Sequence, residues 1–328
     1  MVRSRRRLIA VVIVGIVGLC LAQQKEEDNG KKMTAASKDK KKVIAGILIT
    51  PESLGLGKAV KLERDEASVD AEEGFSKGVV TVEARIGTSK VELVYDIYVC
   101  KSLEVAKRIA KSRMLGYFLA QGGVPIGLPL ETAGIKADYG NVFYIRLNLV
   151  RPKPNAKRYV LAGLWFAVRN IIVVIRPKNE AANGHILPIA KKVADYLRKQ
   201  PTYKSLEASG LCPKIIAKPE KTTTTAKVAM EEIEEGKFTP RYFIDPIPVR
   251  FKVDDPSNLK VRLKKFAFEG TIDWNADKGA YCFSWEYYDS EKAGFNKPLK
   301  CKIRFVAVNE RLLWSTKEIT ITILPPKK

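Results

Sequence analysis

Histidine is almost absent from the sequence, since His185 is the only one. A zinc site with two histidines on one helix is therefore excluded, and a Ser-His-Asp triad would depend on this single residue. No Cys-x-x-Cys pair occurs, which argues against a redox motif or a zinc knuckle. The glycine-containing stretch 55–59 lacks the spacing of a phosphate-binding loop. These absences favour a protein without a catalytic site.

Paired carboxylates leave one other route to catalysis, because glycan-cleaving enzymes use two of them. Candidate pairs are Glu72 with Glu73 and the acidic run 231–235, which we interpret as solvated charges. We therefore expect no enzyme and no catalytic residues. An enzyme that acts on an extracellular polymer is kept as the second alternative.

The first 22 residues have the pattern of a signal peptide or an N-terminal anchor. Four arginines precede an uncharged apolar run from Leu8 to Ala22. A run of this length suits a signal peptide and is short for a spanning helix, which needs about 20 residues. An uncleaved anchor would give N-terminal membrane association. In either case we expect an exported chain, periplasmic or extracellular, followed by a flexible charged tether over residues 23–42.

Basic residues outnumber acidic ones, and the formal net charge is +22. An exported basic protein can bind anionic wall polymers or membranes, although a lysine-rich solvated surface explains the same charge. Export separates the chain from nucleic acid, so we expect no nucleic-acid partner. The expected partners are an envelope protein or an anionic wall or membrane polymer, and the sequence does not indicate an oligomeric state.

Residues 43–215 are predicted to form an α+β domain. Alternating, β-rich runs predict strands, and the runs 77–86 and 90–100 are joined by a short turn that suits a hairpin. Helical spacing follows over residues 101–123, with Ser102 as the cap, and again over 186–200. The second helix places Ile186, Ala190, Val193 and Leu197 on one face. We predict an antiparallel sheet with two helices covering one side.

Residues 216–236 are interpreted as a threonine-rich, charged linker, with a short helix in 229–236. From residue 237 to residue 328, short alternating runs predict antiparallel strands and a β-sandwich. The alternation predicts one buried side of each strand, and the predicted core residues are Phe283, Trp285, Ile303, Phe305, Ile319, Ile321 and Ile323.

Four motifs in this last segment occur in a characteristic order. They are Asp255-Pro256 with Leu259, then Gly279 with Phe283 and Trp285, then Ile303, Phe305 and Ala307, and finally the ladder Ile319, Ile321 and Ile323. Over about residues 237–326 this order resembles the cadherin-like, immunoglobulin-like repeats of microbial surface proteins. The sequence departs from the pattern at Cys301, at Asn309-Glu310 and in the spacing between Gly279 and Phe283. The resemblance implies an Ig-like sandwich that serves in adhesion or as a spacer.

The resemblance also raises the question of calcium, because related repeats bind it through aspartates at the Asp-Pro turn and at a later Asp-Gly. Asp254 and Asp255 are present, but Ser257, Asn258 and Asn309 stand where further acidic ligands are expected. Calcium takes six to eight oxygen ligands. The favoured interpretation is that the aspartates begin a turn, so we expect no metal and no cofactor. Calcium at Asp254 and Asp255 is the alternative.

Two cysteines fall in each predicted domain, and an exported chain permits disulfides. The candidate pairs are Cys100 with Cys212 and Cys282 with Cys301. Cys282 points away from the apolar side of its strand and Cys301 lies on the apolar side, so their bond would require a bulge. Both pairings stay open at this point.

Together these observations predict an exported cell-envelope protein with a non-catalytic role in adhesion, scaffolding or protein interaction. The first alternative is a sensor or binding subunit that holds an acidic polymer or a small ligand through the basic α+β domain.

Overall fold

Strands dominate the computed structural model of the protein, which describes residues 43–44, 46–57, 59–114, 125–146, 159–289 and 294–327. Two short α-helices occur in these ranges, α1 (Leu103–Ile109) and α2 (Ile186–Lys199). None of the described helices is long and apolar enough to cross a membrane. The predicted leader and tether, residues 1–22 and 23–42, lie outside the described residues.

The described part of the N-terminal half, residues 43–213, contains ten strands. They are β1 (Val43–Ile44), β2 (Ala59–Arg64), β3 (Ser68–Asp70), β4 (Phe75–Ile86), β5 (Ser89–Cys100), β6 (Pro125–Pro129), β7 (Tyr139–Arg146), β8 (Tyr159–Val168), β9 (Ile171–Pro177) and β10 (Thr202–Tyr203). Eight of them form one sheet in the order β2-β4-β5-β9-β8-β7-β6, with β3 paired to β4. All of its described pairings are antiparallel, as predicted.

Tight turns set the register of the central strands. Gly87, with φ of 61°, is the first of two residues that connect β4 to β5. Arg169, with φ of 56°, turns β8 into β9. The next residue, Asn170, is buried and accepts a hydrogen bond from the Ile44 amide while its own amide donates to the Cys100 carbonyl. These bonds attach the start of the domain to the sheet.

The two helices cover opposite faces of this sheet, which corrects the prediction that they share one side. The buried face of α2 includes all four predicted residues, Ile186, Ala190, Val193 and Leu197, and packs against one face of the sheet. Helix α1, capped by Ser102 as predicted, packs through its own buried side chains against the other face. It runs into a π-helical turn at Ala110–Met114, and the predicted continuation past residue 114 lies outside the described residues. Spacing along one helix cannot tell which face of a sheet it will cover.

In the C-terminal half, residues 214–327, eleven strands fall within the described residues. They are β11 (Lys214–Pro219), β12 (Thr223–Thr225), β13 (Lys227–Glu234), β14 (Lys237–Phe243), β15 (Ile247–Asp254), β16 (Val261–Ala267), β17 (Thr271–Asn275), β18 (Ala280–Ser284), β19 (Glu286–Tyr288), β20 (Leu299–Asn309) and β21 (Trp314–Leu324). The prediction of a linker over residues 216–236 is therefore wrong, because this segment contributes strands to three sheets. The helix predicted within it is also wrong, since its residues belong to a β-hairpin.

Two four-stranded sheets in this half share one hydrophobic core. The first has the order β11-β15-β18-β17 and the second the order β12-β21-β20-β16. All seven predicted core residues are buried in that shared core. Phe251 of the first sheet stacks on Phe305 of the second, with ring centroids 5.0 Å apart.

Residues from the end of β20 to the start of β21 pack into the core of the N-terminal half. Leu312, Leu313 and Trp314 are buried there, beneath the face of the sheet that α2 covers. The backbone approach is close, because a β-carbon at Gly78 would lie only 3.0 Å from the Leu312 side chain. Residues 42–328 accordingly form one compact unit rather than two separate domains joined by a linker.

Candidate functional site

Exposed apolar side chains are concentrated in the C-terminal half. Among the described residues, every exposed large hydrophobic side chain except that of Leu128 belongs to it, namely Ile216, Val228, Met230, Ile233, Phe238, Phe266, Phe268, Trp274, Tyr287 and Tyr288. Contiguous apolar surface in a soluble protein marks sites of interaction more often than chance exposure does. The candidate site is therefore a binding surface of this half.

Six of these ten side chains lie on a small third sheet, ordered β13-β14-β19. A turn at Gly236, with φ of 74°, joins β13 to β14. The base of this sheet is fixed by an aromatic cluster at the end of the shared core. The centroid of the Phe295 ring lies 6.0 Å from that of Tyr242 and 5.1 Å from that of Trp285. Strand β13 is exposed along almost its whole length. The hairpin therefore projects from a rigid base into solvent.

The two faces of the hairpin differ in chemistry. On one face Arg241 pairs with Glu231 and Glu286, at 3.2 and 2.6 Å, and the Tyr288 hydroxyl donates to Glu231. The register places four exposed apolar side chains on the other face: Val228, Met230, Phe238 and Tyr287. We call these four residues the hairpin face. The polar face satisfies its own charges, whereas the hairpin face leaves apolar surface in water.

Strand β13 is also an edge strand, with a partner on one side only in the described sheets. Edge strands offer unpaired backbone groups to an incoming extended segment. Glu232 lies on the hairpin face, and Glu234 and Glu235 follow it near the turn. This surface is locally acidic in a chain whose net charge is +22. It suits an extended, apolar segment flanked by lysine or arginine.

Comparison with protein-family models, with curated proteins and with solved structures found no match to this chain. The resemblance of residues 237–326 to cadherin-like repeats therefore depends on the sequence motifs described above. The function has to be inferred from the surface of the molecule.

The predicted calcium ligands have protein partners. Both oxygens of Asp255 accept hydrogen bonds, one from the Leu259 amide and one from the Asn309 side chain, each at 2.9 Å. Asp254 pairs with Lys252 at 2.8 Å. The described residues contain no cluster of three or more metal-ligating side chains. The geometry at Asp255 is that of a turn cap.

Neither predicted disulfide is present, because all four described cysteines are free thiols. Cys100 and Cys212 cannot pair, since they are buried on opposite faces of the eight-stranded sheet. Cys282 lies beside Pro248 and Asp273 in the first sheet, outside the shared core, whereas Cys301 belongs to that core from the second sheet. The sequence alternation had placed these two on opposite sides, and no bulge brings them together.

Three of the four buried thiols, those of Cys100, Cys212 and Cys301, are expected to be inert in the native protein. Burial raises the pKa of Cys100 and of Cys301 to about 12 and that of Cys212 to about 11. Because the thiolate is the reactive form, a maleimide should label none of these three at neutral pH until the chain is unfolded. Peptide mass mapping before and after denaturation measures this, with Cys20 as an internal control where it is present. Labelling that stays absent in denaturant and appears after reduction would instead reveal disulfides.

The hairpin face was missed in the sequence because Val228 and Met230 were assigned to a linker, with Met230 in its predicted helix, whereas Phe238 and Tyr287 were assigned to the sandwich. The available signal was Gly236 between two runs with apolar residues at alternate positions, Val228 and Met230 in the first and Phe238, Pro240 and Tyr242 in the second. Alanine, methionine and glutamate favour helix locally, and pairing with β14 overrides that preference.

Proposed function

We propose that the protein is an exported, non-catalytic protein of the cell envelope that binds another envelope protein and so serves in adhesion or scaffolding. The observation that carries this proposal is the hairpin face, an exposed apolar surface on a rigidly based edge hairpin. Val228, Met230 and Phe238 are each more than half exposed, at 51%, 60% and 53%. Leaving three such side chains in water is unfavourable by roughly 25 cal/mol for each Å² of apolar area that a partner could cover.

The finer fold assignment is part of the proposal. We assign the N-terminal half to the α+β class, with the eight-stranded sheet and its two helices as a basic scaffold. We assign the C-terminal half to the Ig-like, cadherin-like sandwiches, with the hairpin as an added binding element. The burial of all seven predicted core residues between the two four-stranded sheets supports the second assignment.

The partner that fits is a protein segment in extended conformation that adds to β13. Its backbone would pair with the open edge, its apolar side chains would cover the hairpin face, and its basic residues would approach Glu232, Glu234 and Glu235. The first alternative is an anionic polymer held by the basic N-terminal half, which the net charge of +22 favours. That binding would be electrostatic, salt-sensitive and independent of the hairpin face.

Replacing Met230 and Phe238 together with alanine is expected to weaken binding of the purified full-length chain to the envelope fraction of its source cells about tenfold or more. Apolar anchors at the centre of an interface contribute on this scale. The matched control replaces Phe266 and Phe268, which are 48% and 53% exposed at the end of β16 and just after it, and should leave binding unchanged. Neither pair of substitutions alters the net charge.

Equal binding by the parent and both double variants would contradict the proposal. Loss of that binding at high salt would then favour the anionic-polymer alternative. Photo-crosslinking from position 230 identifies the partner, and a product from position 128 on the opposite half would indicate non-specific association. Cell fractionation that recovers the chain in the cytosol would overturn the export part of the proposal.

A further inference from the structure

A cleft opens in the first sheet of the C-terminal half, where β15 and β18 separate. These strands pair only between Ile247–Val249 and Tyr281–Phe283, because β15 continues beside β11 while β18 begins after a turn. The cleft has a volume of about 690 Å³ and is open to solvent. Ligand sites commonly measure roughly 300–1,000 Å³. The lining side chains of interest are those of Glu220, Arg250, Phe251, Trp274, Lys278 and Tyr281.

An exposed tryptophan forms one wall of the cleft. All four tryptophans fall within the described residues, and Trp274 alone is exposed, at 59%. Its ring meets that of Tyr281 nearly edge-on, with centroids 5.3 Å apart and planes at 76°. The Tyr281 ring in turn contacts the Phe251 ring, with centroids 5.8 Å apart and planes at 88°. This series of ring contacts continues into the shared core, so Trp274 presents a flat apolar surface on a preorganised support.

Two basic residues, Arg250 and Lys278, also line the cleft, and neither forms an ion pair with any described residue. The Lys278 ammonium donates a 3.4 Å hydrogen bond to the Pro246 carbonyl. Lys265 lies just behind, 4.7 Å above the Tyr281 ring, and is paired with Asp273. Glu220 is the acidic residue among those that line the cleft. The site therefore combines an aromatic surface, two available cations and one carboxylate acceptor.

We infer that the β15–β18 cleft binds an acidic saccharide. A sugar ring has an apolar face of C–H bonds that can lie on Trp274, and its hydroxyl groups are donors for Glu220. Its carboxylate matches the planar, two-pronged guanidinium of Arg250, with Lys278 as a second charge. Beyond Val249, the edge of β15 that faces β18 has no strand partner among the described strands, and its backbone groups can bond further hydroxyls.

The mixture of groups selects this ligand class over a simple anion. A phosphate-only ligand would leave Trp274 uncovered and would be repelled by Glu220. A neutral sugar would leave Arg250 and Lys278 without partners. An acidic saccharide uses all three kinds of group. The inference is independent of the hairpin face, because the two surfaces share no residue.

Calorimetric titration of the full-length chain with a tetramer of galacturonic acid tests the inference, using the methyl-esterified tetramer and adenosine monophosphate as competing probes. We expect the acidic tetramer to bind at least about tenfold more tightly than its ester. Acrylamide quenching of tryptophan fluorescence should fall on binding, because Trp274 is the exposed tryptophan.

Substitutions distinguish a specific binding site from non-specific electrostatic attraction of an acidic saccharide to a basic protein. Trp274→Ala should weaken binding of the acidic tetramer about tenfold or more, and Arg250→Ala should remove most of the preference for acid over ester. Phe268→Ala, which removes an equally exposed aromatic ring elsewhere, should change neither. The inference would be overturned if the Trp274 variant bound the acidic tetramer as tightly as the parent chain does, or if the ester bound as tightly as the acid. Tighter binding of adenosine monophosphate, or no binding heat up to millimolar tetramer, would overturn it as well. Because Trp274 is exposed, its variant is expected to fold, and far-UV circular dichroism checks this.

Discussion

Replacing Trp314 with alanine is expected to lower the free energy of unfolding by about 3–5 kcal/mol, the usual cost of truncating a buried tryptophan. Trp314 begins β21 in the C-terminal half, yet its side chain is buried in the core of the N-terminal half. Its indole N–H approaches the Val99 carbonyl at 3.4 Å. The substitution removes this contact and leaves a cavity between the two halves.

The same contact predicts that the two halves unfold together. The buried Ser76 hydroxyl donates to the Leu312 carbonyl at 2.5 Å, so polar as well as apolar bonds cross the junction. Leu312 adopts φ of 58°, which is unfavourable for leucine and persists because its buried side chain offsets the strain. Separating the halves would expose these side chains and leave the Ser76 hydroxyl without its acceptor.

Denaturant titration followed by circular dichroism and by tryptophan fluorescence measures both expectations. The two signals should give one coincident transition in the parent chain and in the variant. Trp274→Ala is the matched control, because it removes the same side chain from an exposed position and should cost less than about 1 kcal/mol. Two separate transitions in the parent, or a Trp314 variant as stable as this control, would contradict the single-unit interpretation.

The sequence identified those parts of the fold that depend on local pattern. Alternation in Ile319, Ile321 and Ile323 predicted the buried side of β21, and the helical spacing that includes Val193 predicted the buried side of α2. Both patterns are periodic over a few residues, so the side that turns inward can be identified before its partner is known. The capping role of Ser102 was predictable for the same reason.

The parts that were wrong depend on distant pairings. Residues 223–225 have the composition of a linker, but Thr223 lies beside Thr322 in a parallel pair that only the folded chain brings together. Trp274 lies in a five-residue strand where Ile272 and Trp274 alternate with polar residues, and that alternation indicates a buried side rather than the exposure that Trp274 has in the folded chain. Its neighbour Tyr281 joins it across the β17–β18 turn. The pairing of Cys100 with Cys212 stayed open in the sequence because the face on which Cys212 is buried depends on the path of the chain after α2. Both candidate binding surfaces belong to this class.

The second large effect is expected at Asp96, whose replacement by alanine should cost about 3–5 kcal/mol of unfolding free energy. Asp96 is only 2% exposed on the central strand β5, and its carboxylate oxygens lie 2.9 Å from the Lys77 ammonium and 3.0 Å from the Arg176 guanidinium. Removing one member of a buried ionic group leaves the partner charges uncompensated, which costs more than the group contributes when intact.

The pKa of Lys77 supplies a second readout. Burial acts to lower it, but the hydrogen bond and the negative charge of Asp96 outweigh burial, so the pKa of Lys77 lies above its ordinary value of 10.5. A raised pKa in the folded state means that the pair stabilises the fold fully below the unfolded-state value and loses this contribution as the pH rises through the folded-state value. In the Asp96→Ala variant only the weaker contribution of Tyr98 opposes burial, so the pKa of Lys77 should fall from its raised value.

Equilibrium unfolding measures the energetic cost, and carbon NMR of the lysine side chains measures the pKa. Glu83→Ala provides the matched control, because Glu83 forms an ion pair with Lys90 at the surface of the same sheet and such pairs contribute only about 0–1 kcal/mol. Asp96→Asn keeps the shape and one acceptor, so its cost should lie between those of the two alanine variants. If Asp96→Ala cost no more than Glu83→Ala and the pKa of Lys77 stayed raised, the buried carboxylate would not be what holds the two cations in the sheet. Other groups around Lys77 and Arg176 would then have to stabilise these two cations. The register of β4, β5 and β9 would in that case not depend on the ionic contact that spans the three strands.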